Sequence, residues 1–131
     1  MLIEIREITK KSLEFEISKD DNFTSVLNRY MMEQNITIAV LSARTGINKN
    51  TLIDYRAGNH IPNDIHKLIA LCIGLQINEH RAEYLISLAH MSIGYDIQGM
   101  AFRMLISLAF LSGITVCQGK RILDNLDLPK L

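Results

Sequence analysis

The side chains that most often carry chemistry are sparse in this sequence and poorly arranged for it. His60, His66, His80 and His90 show no metal-ligand spacing, and His66 and Cys72 have no carboxylate three or four residues away. Ser, Cys and His form no recognisable nucleophile–base motif, and no glycine-rich phosphate loop occurs. The carboxylates are scattered over polar faces. Cys72 and Cys117 lie far apart in apolar helical contexts, where a thiol in a reducing compartment is a small buried hydrophobe. The expectation is a protein that is not an enzyme and holds neither metal nor cofactor.

What the spacing does support is surface recognition by a pair of short helices between Ile36 and Pro62. Thr37 is a capping residue for a helix carrying Val40 and Leu41 that stops at Gly46, and Asn48 caps a second carrying Leu52 and Tyr55 that stops at Gly58. Two such helices across a glycine turn are the ingredients of a helix-turn-helix, whose second helix enters the DNA major groove. The geometry requires Leu41, Ile47, Leu52 and Tyr55 inward, a small Ser42 at the crossing, and a left-handed Gly46. All of these residues are in place.

The run Thr37-Ile38-Ala39-Val40-Leu41-Ser42-Ala43-Arg44-Thr45-Gly46-Ile47-Asn48-Lys49-Asn50-Thr51-Leu52 resembles the lambda-repressor/Cro (XRE) family of helix-turn-helix regulators. Tyr55-Arg56-Ala57-Gly58-Asn59-His60-Ile61-Pro62 is similar to that family's stretch after the recognition helix, and the resemblance covers about residues 23 to 77. The remainder resembles a subset of such bacterial regulators that append two helical hairpins.

The resemblance implies specific contacts with double-stranded DNA. Asn48, Lys49, Asn50 and Thr51 are exposed on the first turn of the recognition helix, with Ile53 and Asp54 one turn on. Asn50 would pair with an adenine edge, Lys49 with a guanine or a phosphate, Ile53 with a thymine methyl, and Asp54 with a cytosine amine. Backbone N–H groups behind Thr37, together with Arg56, Asn59 and His60, would hold phosphates and set the register. Ile38 stands where the family usually carries a Gln that contacts the DNA backbone.

Charge limits the strength of any such binding. The chain has 14 Lys+Arg against 14 Asp+Glu, which excludes a uniformly basic nucleic-acid binder. Residues 23 to 75 carry five Lys/Arg and three Asp/Glu, so non-specific affinity is expected to be modest and salt-sensitive. Binding would then depend on a homodimer engaging two half-sites. Ile38, Asp54 and the low charge favour a different class of function, a protein-interaction module that keeps the fold without reading DNA.

The elements that must position these residues are mainly helical. Hydrophobic residues at 48% and charged residues at 21% argue against disorder, and 131 residues suffice to bury a core without disulfides. No basic leader precedes an apolar stretch, and the uncharged run from Met104 to Gly119 is shorter than the ~20 residues of a spanning helix. A cytoplasmic protein with no membrane association is expected.

Three segments are expected: an arm (1–22), a helix-turn-helix domain (23–77) and a C-terminal helical extension for assembly (78–131). In the arm, Ile3 and Ile5, then Leu13, Phe15 and Ile17, alternate with charged residues, the pattern of a short β-hairpin. The arm has four Lys/Arg against six Asp/Glu, an unsuitable sign for entering DNA.

A shift of 37 residues superposes Leu68-Ile69-Ala70-Leu71 on Leu105-Ile106-Ser107-Leu108, Asn78 on Thr115 and Leu85-Ile86 on Ile122-Leu123. This repeat predicts two stacked helical hairpins. The helix from Ile97 to Leu111 has two apolar stripes, Met100, Ala101, Met104, Leu105 and Leu108, and then Phe102, Ile106 and Phe110. One is expected to face the first hairpin, and the other to meet the arm or a second subunit.

Overall fold

The computed structural model describes residues 18–131, and these are mainly helical. The expected β-hairpin strands at Ile3–Ile5 and Leu13–Ile17 lie outside the described residues. Seven helices follow in order: α1 (Phe23–Glu33), α2 (Ile38–Thr45), α3 (Lys49–Ala57), α4 (Ile65–Leu75), α5 (Glu79–Leu88), α6 (Ile97–Ser112) and α7 (Val116–Asn125). No described helix is long and apolar enough to cross a membrane.

Local chemistry fixes where the helices start and stop. Asn22, Thr37, Asn48, Asp64, Asn78, Asp96 and Thr115 each accept a first-turn backbone N–H through the side chain. Gly46 (φ 76°) and Gly58 (φ 80°) end α2 and α3 in the left-handed region, as their positions in the sequence require.

The centre of the molecule is α4. Leu68 through Leu75 are eight successive buried residues, so this helix is covered on every side and packs against α2, α5, α6 and α7. Its closest approach is to α2. A Cβ added at Gly74 would lie 2.4 Å from Thr45 Cγ2 and 2.9 Å from Leu41 Cδ1. The absence of a side chain lets the Gly74 carbonyl accept Arg44 Nη1–H at 3.1 Å.

The 37-residue repeat is visible in the caps. Asn78 and Thr115 both cap, and the preceding left-handed residues, Gln76 (φ 54°) and Gly113 (φ 69°), bear the same offset. Buried Ala82 corresponds to buried Gly119, which lies 3.3 Å from Leu105 by its ideal Cβ. The packing of the two copies differs. α5 lies against α4 and α6, whereas α7 crosses back onto α2 and α4. One continuous apolar core thus runs from Phe23 to Leu123.

The two stripes of α6 divide differently from the sequence expectation. Ala101, Phe102, Leu105, Ile106 and Ala109 are buried together, while Met100, Phe110 and Leu111 are exposed. Phe102 points inward, where the His66 ring of α4 lies edge-on to it at 5.6 Å, and Ile106 is buried in the same core.

Candidate nucleic-acid interface

The turn between α2 and α3 is locked by two side chains and a backbone hydrogen bond. Ser42 Oγ donates to the Ile47 carbonyl at 2.7 Å, so its small size and its hydroxyl both matter. Thr45, the buried polar residue of the core, donates to the Leu41 carbonyl at 2.7 Å and accepts the Ile47 N–H at 3.1 Å. Gly46 N–H returns to Ser42 O at 2.8 Å. Below the turn, Leu41, Leu52 and Tyr55 are fully buried and Ile47 packs against the same cluster. Burial pushes the Tyr55 phenol up, and the charge of Asp64 adds to the effect.

This frame leaves α3 with one open face. Lys49, Asn50, Ile53, Asp54, Arg56 and Ala57 are exposed, and at 100° per residue they form a contiguous arc opposite Leu52 and Tyr55. Ile53 lies near the middle of that arc, half exposed, with Lys49 and Arg56 to one side and Asn50 and Asp54 to the other. Thr51 is half-buried at the margin, and exposed Asn48 holds the Asn50 N–H at 2.8 Å through its side-chain oxygen. Asn48 therefore presents the first turn of α3 through its own cap.

The flanking candidates are distributed around this arc. Thr37 is exposed and accepts Val40 N–H at 3.2 Å, at the N-terminus of α2. His60 stacks on the buried Tyr55 ring at 6.2 Å and an interplanar angle of 11°. Exposed Asn59 is held by its backbone N–H to Asp54 O at 3.0 Å.

Two residues make contacts that the sequence does not indicate. Ile38 is half-buried and packs against the core, so it is not a freely exposed side chain. It shares an open groove of about 280 Å³ with Asn28, Ile53, Arg56 and Ala57. Arg56 is tied to α1: its Nε–H donates to Asn28 Oδ1 at 2.7 Å, and Asn28 Nδ2 donates to the Arg56 carbonyl at 3.0 Å. Asn28 was missed by sequence reasoning. It sits on α1, with no local signal tying it to a residue 28 positions away.

Among the described residues no cluster of His, Cys, Asp or Glu could hold a metal ion. Cys72 is buried, with its thiol pushed up by loss of hydration, and Cys117 is exposed. No family model matches the chain, no curated protein matches it, and no solved structure does.

Proposed function

We propose that this chain is a sequence-specific DNA-binding regulator of the lambda-repressor/Cro helix-turn-helix type. It acts as a homodimer, with α3 in the major groove of each half-site. The observation that carries this reading is the open arc of α3, whose first turn holds Asn50 and Lys49 outward while Leu52 and Tyr55 anchor the opposite side.

Three residues of the arc have a matching group on DNA. Asn50 offers the donor–acceptor pair of an adenine edge, Lys49 a cation for guanine or phosphate, and Ile53 an apolar contact for a thymine methyl. The capped start of α2 behind Thr37 offers backbone N–H groups and the positive end of a helix dipole to a phosphate. Arg56 at the edge of the arc, with Asn59 and His60 beyond it, offers further phosphate contacts.

A second reading rests on the groove. Ile38 and Ile53 line it together, with a single cation from Arg56, which suits an apolar segment of a protein partner better than a phosphate backbone. The two readings separate in an amide chemical-shift titration with a mixed-sequence duplex at low salt. DNA binding moves the signals of residues 37–40, 48–54 and 56–60 and leaves α5 and α6 unmoved. Absence of shifts along α3 contradicts it.

A further inference from the structure

The exposed side of α6 is apolar along its whole length. Ile97, Met100 and Leu111 are 65%, 64% and 76% exposed, and half-buried Met104 and Leu108 lie between them. Met104 also rests on the core, and the stripe is most open at Ile97, Met100 and Leu111.

The spacing of the stripe is symmetric. From Met104, the apolar positions fall four and seven residues away in both directions, at Met100 and Ile97 and at Leu108 and Leu111. Met104 is also central around the helix, because at 100° per residue the other four lie within about 40° of it on either side. A stripe that reads the same in both directions is self-complementary under a two-fold rotation, the condition for an isologous contact.

We infer that α6 packs antiparallel against α6 of a second copy of this chain, about a two-fold axis passing beside Met104. Ile97 then faces Leu111 of the other copy, Met100 faces Leu108, and Met104 faces itself, over ~21 Å of helix. Antiparallel helix dipoles favour this arrangement.

Charge is compatible with it. The stripe contains no ionisable residue, and the nearest cation on the helix, Arg103, is already neutralised by Glu79 at 2.8 Å and by Glu83. Exposed Tyr95 lies against the Arg103 guanidinium at 4.8 Å, just before the N-terminus of α6.

The area is sufficient. Stripe and flanks expose on the order of 600–700 Å² per copy, near the ~800 Å² that each partner contributes to a standard interface. The helix makes no substantial contact with α3, so pairing here leaves the recognition face open.

The purpose of this dimer rests on the two-half-site reading above, but its test is made without DNA, so either can fail alone. With Cys117 first changed to Ser, Met104→Cys is expected to give a disulfide-linked dimer on mild oxidation. Ile97→Cys alone is expected to cross-link slowly, whereas a mixture of Ile97→Cys and Leu111→Cys chains is expected to cross-link readily between the two.

By sedimentation at micromolar concentration the unmodified chain is expected at twice its 14.9 kDa mass. Met100→Glu, at a position that tolerates charge in the monomer, is expected to weaken association by ~100-fold or more while the helical spectrum is kept. A monomeric unmodified chain overturns the inference, as does a dimer whose Met104→Cys form does not cross-link. So does a monomer that associates only when residues 1–17 are removed, because the arm then covers the stripe.

Discussion

Asn28 and Arg56 hold each other reciprocally across α1 and α3. The guanidinium Nε–H donates to the amide oxygen at 2.7 Å, and the amide nitrogen donates back to the Arg56 carbonyl at 3.0 Å. The same amide nitrogen is 2.9 Å from the Thr24 carbonyl. One side chain therefore joins the last turn of the proposed recognition helix to the first turns of α1. Partly exposed hydrogen bonds of this kind contribute about 0.5–1.5 kcal/mol each. Asn28→Ala is expected to lower stability in urea melts by roughly 1 kcal/mol. In fluorescence anisotropy it is expected to weaken DNA binding several-fold without changing the preferred sequence. Unchanged affinity would show that the clasp does not position α3.

Gly74 is the contact on which the α2–α4 crossing depends. A methyl group there collides with Thr45 Cγ2 and Leu41 Cδ1, both buried. Overpacking typically costs 1–3 kcal/mol, against which Ala gains about 1 kcal/mol of helix propensity over Gly. A net loss of up to about 2 kcal/mol is expected for Gly74→Ala, seen as a lower melting temperature. Thr45→Ser removes Cγ2 but keeps the hydroxyl, so the double variant is expected to recover part of the loss. A Gly74→Ala chain more stable than the unaltered one contradicts the close approach.

The segment before α1 is fastened at Asp21. Its buried carboxylate accepts Arg29 Nη1–H and Nη2–H at 2.9 and 3.1 Å, the Tyr84 hydroxyl at 2.7 Å and the Ser18 N–H at 3.0 Å. The Arg29 guanidinium is the chief reason that its pKa falls from 3.8 to about 2, and burial opposes the shift. A carboxylate whose pKa is depressed on folding stabilises the fold fully above its unfolded value and loses that contribution as pH falls through the folded value. Stability is expected to fall by about 1–2 kcal/mol between pH 5 and pH 2, after allowance for solvent around Arg29. Asp21→Asn is expected to lower stability at pH 7 and to flatten the acid limb of the curve. An unchanged acid limb in that variant would remove Asp21 as the cause.

The salt dependence of DNA binding should be shallow. Lys49 and Arg56 are the cationic side chains on the open arc of α3, with Asp54 on the same face. Two such cations per copy release few counterions, so the log–log slope of affinity against salt is expected to be no steeper than about −4 for a dimer. Lys49→Ala is expected to reduce its magnitude by about 2 for the dimer, one phosphate per half-site. A slope near −8 or steeper would mean that a different, more basic surface meets the DNA.

Much of the local structure was legible because its causes are local. Thr37, Asn48, Asn78 and Thr115 cap where their hydroxyls and amides reach the next turn, and Gly46 and Gly58 end helices because a left-handed residue is needed there. Gln76 takes the same left-handed role at φ 54° without being glycine, and only its repeat partner Gly113 hinted at it.

What the residues did not disclose is what lies between distant segments. Asn28 with Arg56, Asp21 with Tyr84, and α7 laid across α2 depend on how helices are brought together, which periodicity does not encode. In α6 both sides are apolar, so the pattern could not tell that Phe102 and Ile106 go inward while Met100 and Leu111 stay out. On α3 Lys49, Asn50, Ile53 and Asp54 are exposed as the sequence suggests, but Thr51 is half-buried, and nothing in the sequence indicates that Arg56 is shared with α1 or that Ile38 turns toward the core.

The central claim is that α3 reads a DNA sequence, and selection of bound duplexes from a random pool tests it most directly. Repeated at two salt concentrations, the selection is expected to enrich a palindrome. That enrichment is expected to disappear when Asn50 and Lys49 are both changed to Ala, because each well-formed base contact discriminates by about 1–3 kcal/mol. A pool that stays random at low salt, with the Asn50→Ala and Lys49→Ala chain behaving as the unaltered one, would contradict the account.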